Sequence, residues 1–207
     1  MLQINTSKRG FSKTGVITVV SLALLITGSY LLLLVGAPTY APYISKIPID
    51  VAILPAPKND INRIVIPKIG VNIAFAPGEE SLDKGAQWRY PERGNPEKGG
   101  NFIIAAHRFS IQPTPQDTIE KSPFYGIDKL QPGDKIVVDY NGTRYGYEIN
   151  GTKNVESTDI GIEDESEEAK LTLYSCELDG STAGRIVLLA KPLGTVALTE
   201  DQLNSTN

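Results

Sequence analysis

The feature that most limits how this chain can fold is an uncharged run near its start, from Gly15 to Val35. As a helix rising about 1.5 Å per residue, this run extends about 32 Å, which is enough to cross one bilayer. Lys8, Arg9 and Lys13 precede it, and the first acidic residue of the chain is Asp50. Because basic flanks stay in the cytoplasm, we predict a single transmembrane helix with its N-terminus inside. The alternative, a cleaved signal peptide, has a shorter apolar region of about 7 to 15 residues.

Changes in composition divide the chain into five predicted segments. Residues 1–13 are the cytoplasmic N-terminus and residues 14–36 are the transmembrane helix. Residues 37–60 contain five prolines, which favour an extended, semi-rigid spacer that holds a domain off the membrane. Residues 61–194 form the extracytoplasmic folded domain, and residues 195–207 are a polar C-terminal tail.

The pattern of the folded domain indicates an all-β structure. Its apolar residues occur in short runs separated by Gly, Pro and Asn, without sustained helical periodicity: IVI, FIIAA, KIVVDY, TRYGYEI, KLTLYS and RIVLLA. Two Asn-Gly pairs, at 141–142 and 150–151, suit tight type I′ turns. Between them Tyr145, Tyr147 and Ile149 alternate to one face, as expected of a half-buried strand.

Charge and residue counts exclude several function classes. The formal net charge is -4 and the sequence pI is about 5.1, which argues against a nucleic-acid partner, because such binding depends on a clustered basic surface. The chain has one cysteine and one histidine. Disulfide scaffolds need paired cysteines, and structural zinc sites usually need four Cys or His ligands.

Three residues at the ends of predicted strands are candidates for chemistry. His107 follows FIIAA, Cys176 ends KLTLYSC, and Arg185 opens RIVLLA after a turn-rich segment. A hairpin would place Cys176 and Arg185 on neighbouring strands, so that a thiol, an imidazole and a guanidinium could meet at one rim. Taken singly, a lone Cys is usually a buried inert thiol and a lone His a satisfied half-buried side chain.

The three groups together suit acyl transfer through a thioester. An unperturbed thiol with a pKa of about 8.5 is only a few per cent thiolate at neutral pH, so nearby positive charge raises the reactive fraction. An imidazole can protonate a departing amine. Arginine stays charged, so its role would be hydrogen bonding to carbonyls or to a developing oxyanion.

These residues and their surroundings resemble the sortases, a family of membrane-anchored cysteine transpeptidases. The resemblance covers about residues 61–193 and includes IVIPKIGV, the stretch LDKGAQWRYPERGNPEKGGNFIIAAHR, LQPGDKIVV, and LTLYSC followed by an arginine. The order His, Cys, Arg is also that of the family. Arg108 directly after His107 places the chain nearer to the class C, D and E branches than to class A or B, with the subclass left open.

The resemblance implies a closed eight-stranded β-barrel and cleavage of a Leu-Pro-any-Thr-Gly sorting signal. It gives His107 the role of acid, Cys176 that of nucleophile, and Arg185 that of carbonyl or oxyanion stabiliser. The cleaved surface protein would pass to an amine of a peptidoglycan precursor or a pilin, with no organic cofactor. Two positions depart from the family pattern: Ser175 stands where Thr is usual, and Ala106 where Gly is common.

An acidic loop and five other side chains have weaker claims to function. The resemblance makes the loop from residue 156 to residue 170 one wall of the substrate groove. Its seven acidic residues could bind calcium with hard oxygen ligands, although a solvated acidic loop is the simpler interpretation. Trp88, Tyr90 and Phe109 are expected to pack in the core rather than to line the site. Thr172 and Ser175 could support the backbone near Cys176 or bond to the substrate.

Two other function classes remain open on the sequence. An L,D-transpeptidase also uses His, Cys and Arg, but it places Arg two residues after Cys, where this chain has Leu178. A non-catalytic, membrane-tethered β-barrel that binds surface proteins would be expected to lack one of the three residues, and all three are present.

Overall fold

The computed structural model describes residues 13–44 and 49–197. The two α-helices of this part of the chain are α1, Lys13–Ile44, and α2, Pro115–Glu120. Its strands are β1 Arg63–Ile66, β2 Val71–Ala76, β3 Ala86–Arg89, β4 Gly94–Asn95, β5 Gly99–Ala105, β6 Lys135–Tyr140, β7 Thr143–Val155, β8 Lys170–Glu177 and β9 Gly180–Thr195. Short 3₁₀ turns lie at Val51–Ile53, Pro67–Ile69, Glu79–Ser81, Ile127–Lys129 and Ile160–Glu163.

The strands form a closed barrel, which confirms the predicted fold. Eight of them follow the order β3-β2-β1-β6-β7-β9-β8-β5, and β5 pairs back with β3 to close the ring. The short β4 pairs only with β5. Most neighbours are antiparallel, whereas β2–β3 and β5–β8 are parallel. Closure removes exposed sheet edges and presents alternate side chains to the interior and to the outside.

The barrel interior holds the main hydrophobic core. Ile64 and Ile66 of β1 are fully buried inside, while Val65 between them faces outward and is covered by other residues. Trp88 lies within the core, where its ring meets those of Phe75, Phe102 and Tyr140 edge-on. The prediction that Trp88 packs in the core is therefore confirmed.

The two predicted Asn-Gly turns have different outcomes. Asn141 and Gly142 connect β6 to β7 with φ values of 46° and 72°, the two positive angles that a type I′ turn requires. The second prediction is wrong, because Asn150 and Gly151 lie inside the long strand β7. Ile149 and Gly151 pair with successive residues of β9, so Asn150 forms a bulge in the ladder. A bulge accommodates both the extra residue and the curvature of a barrel strand.

The predicted extended spacer differs from the structure at its start. Helix α1 continues past residue 36 to Ile44 and includes Pro38. A proline inside a helix removes one backbone donor and disturbs the preceding turn. In that turn the Tyr40 hydroxyl donates to the Leu33 carbonyl at 2.7 Å. This bond lies next to the Leu34 carbonyl, which lacks its usual donor at Pro38, and the helix persists where the proline count had favoured extended chain.

The later part of the spacer packs on the barrel instead of holding it away from the anchor. Leu54 is buried against Val65 and Val137 on the outside of β1 and β6, and the Pro55 carbonyl accepts a hydrogen bond from Arg144. The apolar residues of this segment thus cover an outward-facing apolar stripe that would otherwise meet water. The predicted N-terminus before Lys13 and the tail after residue 197 lie outside the described residues.

Candidate active site

The three predicted site residues lie on, or just after, three adjacent strands. Cys176 of β8 is the direct cross-strand partner of Arg185 of β9. The parallel ladder between β5 and β8 ends at the pair Ala105 and Tyr174. His107 and Cys176 each lie two residues beyond that pair, so they occupy equivalent positions. The structure therefore brings all three predicted residues to the same end of three neighbouring strands.

These side chains open onto the outer face of the barrel. Residues of β8 alternate, with Leu171 and Leu173 in the core and Tyr174 in a second apolar cluster outside it. His107, Cys176 and Arg185 line a cavity of about 280 Å³. Its apolar wall comes from barrel strands, from the segment between β2 and β3, and from the loop between β7 and β8: Leu82, Ala105, Ile160, Ile162 and Tyr174. The cavity is a groove on the barrel wall rather than a hole in the barrel.

The groove leaves the reactive groups accessible. The His107 side chain is 38% exposed, and Cys176 is an unpaired cysteine of intermediate exposure. An Asp83 carboxylate oxygen lies 3.9 Å from His107 Nε2. That distance is too long for a hydrogen bond, and Asp83 is 79% exposed. Water therefore screens the interaction between these two side chains.

A backbone irregularity lies directly beside the candidate nucleophile. The register of β8 and β9 shifts between Cys176 and Glu177, whose partner is Gly180. Gly184, just before Arg185, has a φ of 148° and approaches the Val155 carbonyl so closely that a Cβ would sit 2.7 Å from it. A larger residue would displace the start of the strand that carries Arg185. Bulges next to active sites commonly re-aim a side chain in this way.

The two departures from the family pattern are accommodated. Ser175 is buried, and its hydroxyl donates to the Ala106 carbonyl at 2.7 Å. This bond joins β8 to β5 one residue before Cys176 and His107. Among the described non-glycine residues only Tyr90 and Asn141 have a positive φ, so the Ala106 methyl group causes no backbone strain. Ser175 thus bonds within the protein and supports the backbone at the site.

A buried arginine continues the link between the strands that carry the histidine and the cysteine. Arg108 follows His107, is only 5% exposed, and lies with Nη1 3.0 Å from the Glu177 carboxylate. Its Nη2 lies 3.2 Å from Asp128. Since Glu177 follows Cys176, one ion pair joins the residues next to both reactive side chains. The backbone ladder has already ended at this level, so Ser175 and Arg108 maintain the spacing of the two strand ends.

The acidic loop is held to the barrel by one of its carboxylates. Glu163 is 7% exposed and accepts a hydrogen bond from the Tyr174 hydroxyl. Arg89 Nε lies 3.0 Å from the same carboxylate oxygen, but it is not aligned to donate a hydrogen bond, so this contact is an ion pair. Burial and the bond to Glu163 raise the pKa of Tyr174, which keeps its hydroxyl protonated as the donor. Burial lowers the pKa of Arg89, but Tyr174 and Glu163 outweigh that effect and raise it.

The buried side-chain amide of Asn101 also holds the acidic loop against the barrel. Asn101 is fully buried on β5 and donates to the carbonyls of Ile162 and Asp164 at 3.2 and 2.7 Å. The Thr172 hydroxyl of β8 donates to the Asn101 side-chain oxygen at 2.6 Å. Thr172 therefore acts within the protein, as a support for the loop, and two buried polar clusters together hold one wall of the groove.

The loop carboxylates do not converge. Within the described ranges 13–44 and 49–197, no group of three or more His, Cys, Asp and Glu side chains has a metal-binding arrangement. Glu163 is bound to Arg89 and Tyr174, whereas most other acids of the loop are exposed. Calcium binding therefore stays a hypothesis, and the structure offers it no clustered ligand set.

Sequence reasoning named Thr172 and Ser175 as possible supports of this site, and both act within the protein, but it gave no such role to five other residues. Arg89 and Asn101 lay within the family-like stretch LDKGAQWRYPERGNPEKGGNFIIAAHR but were given no role, Arg108 served only as a subclass marker, and Glu163 and Glu177 lay outside the quoted motifs. A signal was available for Arg108 and Glu177, because each follows a candidate catalytic residue and their charges are opposite. No comparable signal existed for Glu163, which is one of seven acids in its loop.

The other two aromatic residues that were expected to pack in the core lie outside the barrel interior. Tyr90 stacks against the Arg93 guanidinium at 3.9 Å, and Phe109 packs on Tyr125.

Comparisons with known proteins agree with this geometry. The sortase domain family matches residues 64–193. A sortase A of Listeria monocytogenes is 24% identical over 145 residues, covering 70% of this chain and 61% of the relative. Sortase SrtE1 of Streptomyces coelicolor is 36% identical over 92 residues, covering 41% of this chain and 24% of the relative. The chain thus spans less than two thirds of the length of either relative.

Solved structures show the same barrel. The Listeria monocytogenes sortase A structure has a TM-score of 0.57 at 25% identity, covering 69% of this chain and 93% of that one. A Clostridium perfringens sortase D5 gives 0.53 at 29%, covering 65% and 79%. Sortase E of Streptomyces avermitilis gives 0.52 at 25%, covering 68% and 95%. Because several branches fit about equally, the subclass stays a prediction. The family match covers more than half of the chain and contains His107, Cys176 and Arg185, and the chain belongs to the sortase family.

Proposed function

We propose that this protein is a cysteine transpeptidase that attaches surface proteins to an amine. It cleaves a sorting signal of the Leu-Pro-any-Thr-Gly kind and holds the cleaved protein as a thioester on Cys176. The observation that carries this proposal is the ladder geometry: Cys176 pairs with Arg185 across β8 and β9, and His107 occupies the matching position beyond β5. Membership in the sortase family supports the same assignment.

The first half of the reaction forms the acyl-enzyme. The Cys176 thiolate attacks the carbonyl carbon of the signal threonine, and a tetrahedral oxyanion forms. Collapse of this intermediate breaks the Thr-Gly bond and leaves a thioester. His107 gives its proton to the departing glycine nitrogen, a general-acid role that typically contributes about 100- to 10,000-fold in rate.

Arg185 supplies fixed positive charge to this step. As the cross-strand partner of Cys176, it can donate hydrogen bonds to substrate carbonyls or to the oxyanion as charge develops there. Its guanidinium stays protonated throughout, so it cannot exchange the proton that the leaving amine requires. Positioning and proton transfer are thereby divided between two residues.

The second half of the reaction releases the product. An acceptor amine attacks the thioester carbonyl and gives its proton to the His107 imidazole, and the Cys176 thiolate leaves. Water can replace the amine and would give slow hydrolysis. The partners proposed on this basis are proteins that carry a sorting signal and an amine such as that of a peptidoglycan precursor or a pilin.

The groove supports recognition of an apolar signal. Its wall combines Leu82, Ile160 and Ile162 with the barrel residue Tyr174, which suits the leucine and proline of such a signal. Because the buried Glu163 and Asn101 contacts already hold this wall, we propose that the enzyme needs no cofactor and that calcium is not required. Equal activity in chelator and in millimolar calcium is the expected result, and a large stimulation by calcium would contradict it.

The proposed location is supported by α1. Within the described residues, α1 is long and apolar enough to cross a membrane, with a mean hydropathy of 2.3 over its most apolar window. With Lys8, Arg9 and Lys13 before it, we propose a single-pass membrane protein whose N-terminus is inside and whose barrel is outside.

The test uses the full chain in detergent or nanodiscs with a Leu-Pro-any-Thr-Gly peptide library and triglycine as the amine. Mass spectrometry should detect amine-transfer products with the wild type and none with Cys176→Ala. His107→Ala and Arg185→Ala should also lose transfer, with thermal midpoints close to that of the wild type. If transfer and acyl-adduct formation are absent while alkylation shows an unreactive Cys176, the protein is a binding module rather than a transpeptidase.

A further inference from the structure

Helix α1 meets the barrel domain before its apolar run ends. The Tyr30 hydroxyl donates to the Pro113 carbonyl, and Thr39 shares a hydrogen bond of 2.8 Å with Tyr125. Between these contacts Leu34 is only 5% exposed and Ala37 is fully buried. The domain is therefore seated on the last turns of the helix, beginning at Tyr30.

The helix below this contact is short for a membrane span. Residues 13 to 29 rise about 25 Å in total at about 1.5 Å per residue, whereas a hydrocarbon core is about 30 Å thick. Leu32 is 75% exposed and Leu33 52% exposed, on the part of the helix that the domain already contacts. For Leu32 and Leu33 to be shielded from water, the bilayer must extend to the part of α1 that contacts the domain.

A bilayer at that level would meet the segment just before α2, which includes Ile111 and Pro113. Ile111 is 54% exposed and lies two residues before Pro113, the partner of Tyr30. Asp117 and Glu120 are exposed on α2 itself, so the contact is better suited to zwitterionic headgroups than to anionic ones. Tyrosine at such a boundary is a common interfacial anchor.

We propose that residues 109–114 rest on the outer surface of the bilayer, with Ile111 at the boundary between headgroups and acyl chains. The inference depends on the proposed single-pass topology. It does not depend on the proposed reaction.

This contact would limit the distance of His107 from the bilayer surface. His107 is six residues from Pro113, a distance of at most about 20 Å for a fully extended chain. The intervening segment is also held in place, because Phe124 donates to the His107 carbonyl and Ser110 to the Ser122 hydroxyl, each at 3.0 Å. The active site would therefore meet reactants that are themselves close to the membrane.

The opposite end of the barrel provides a matched control. Pro38 and Ala41 of α1 border a cavity with the turn that follows β1. Asp60 is exposed and lies before the other end of β1, on the far side of the barrel from that cavity.

Because the chain has only one cysteine, Cys176→Ala gives a cysteine-free background for site-specific labelling. In a Cys176→Ala background, Ile111→Cys, Asp60→Cys and Leu25→Cys are each labelled with a nitrobenzoxadiazole dye. The full chain is then reconstituted in phosphatidylcholine nanodiscs that contain lipids with a nitroxide near the headgroup. We expect strong quenching at residues 25 and 111 and little at residue 60. Quenching at residue 111 no greater than at residue 60, with residue 25 quenched, would overturn this inference alone. An unquenched label at residue 25 would overturn the membrane topology as well.

Bilayer thickness separates true contact from dye insertion. Because the free part of the helix is shorter than a typical hydrocarbon core, longer acyl chains should bring lipid further up toward the domain. Quenching at residue 111 should therefore increase with acyl chain length while quenching at residue 60 stays low. A label at residue 111 that is insensitive to thickness would contradict the length argument on which the inference depends.

Discussion

Two arginines are buried among the residues that the structure describes, and they differ in how their partners are placed. Arg144 meets Asp139 in two contacts, at 2.7 and 2.9 Å, across the β6–β7 hairpin. Arg108 instead joins Glu177 and Asp128, which come from distant parts of the chain. The Arg144–Asp139 pair lies within one hairpin, and Arg144 also donates to the Pro55 carbonyl of the packed spacer. The Arg108 pairs hold separate elements together at the candidate active site, so similar ion pairs act within one hairpin in one place and between distant segments in the other.

The largest expected effect breaks the hairpin pair. Arg144→Met leaves the fully buried Asp139 with only Arg63, 3.9 Å away. Removing one partner of a buried pair typically costs about 3–5 kcal/mol, because the other charge stays buried and uncompensated. Denaturant unfolding should show this loss, while kcat of the folded fraction stays at the wild-type value. The double variant Asp139→Leu/Arg144→Met should recover much of the stability, and a single variant as stable as the wild type would contradict the comparison.

The second effect tests the role of Arg108 through its two partners. Glu177→Gln removes the charge beside Cys176, and the strand ends that carry Cys176 and His107 are expected to shift apart. Misplacement of about 1 Å can cost up to about 100-fold in rate, so we expect kcat to fall by about ten- to hundred-fold with KM nearly unchanged.

Asp128→Asn is the matched control for that variant. It removes the other partner of the same arginine, but Asp128 is 50% exposed and not adjacent to Cys176. We expect near wild-type kcat and a stability loss of about 0.5 kcal/mol or less. Equal effects of the two variants on kcat would contradict a specific role of the Arg108–Glu177 pair in placing Cys176 and His107.

The third effect concerns the polar cluster of Asn101 and Thr172 that holds the acidic loop. Like the Arg108 pairs it joins distant segments, but it is uncharged. Asn101→Ala removes both hydrogen bonds to the loop carbonyls and the acceptor of the buried Thr172 hydroxyl. Because the loop forms one wall of the groove, KM for the peptide should rise by about tenfold, an effect of about 1.4 kcal/mol, which is within the usual cost of unsatisfied buried groups. The exposed Asn72→Ala is the control. A fall in kcat at unchanged KM would place the effect at the reacting groups instead.

The smallest expected effect concerns an exposed ion pair, that of Glu148 with Lys135 and Lys191. Lys135 and Lys191 bond to Glu148 and lower its pKa to about 2, against a slight opposing effect of burial. A lowered folded-state pKa gives stability that is present above the unfolded value of about 4.3 and is lost as pH falls toward 2. Glu148→Gln should therefore make the thermal midpoint slightly less dependent on pH between pH 5 and 2, since water screens this exposed site. An unchanged pH dependence would mean that the pair contributes nothing.

Several features were predictable because they depend on local pattern. The apolar run predicted α1, and the short alternating runs predicted β1, β5, β6, β7, β8 and β9 near their observed positions. The turn after Cys176 predicted its pairing with Arg185, because a hairpin is a local structure. The barrel closure itself was implied by the family resemblance and is confirmed.

Other features were not predictable because they depend on distant contacts. Asn150 and Gly151 have the composition of a turn, but pairing with β9 placed them inside a strand. Proline content favoured an extended spacer, but α1 continues beyond Pro38 where Leu34 and Ala37 are buried against the domain. Glu163 could not be chosen from seven loop acids, because only the folded loop brings it to Arg89 and Tyr174.

The sequence by itself determined the single apolar span, the β character of the domain, and the presence of the thiol, imidazole and guanidinium at strand ends. It could do so because periodicity, charge and turn chemistry act over a few neighbouring residues. Only the tertiary structure decided that these groups share one groove, that Arg108 links their strands, and that α1 seats the barrel at its outer turns. Those outcomes depend on burial, which brings together residues that are distant in the chain and leaves each buried charge in need of a partner.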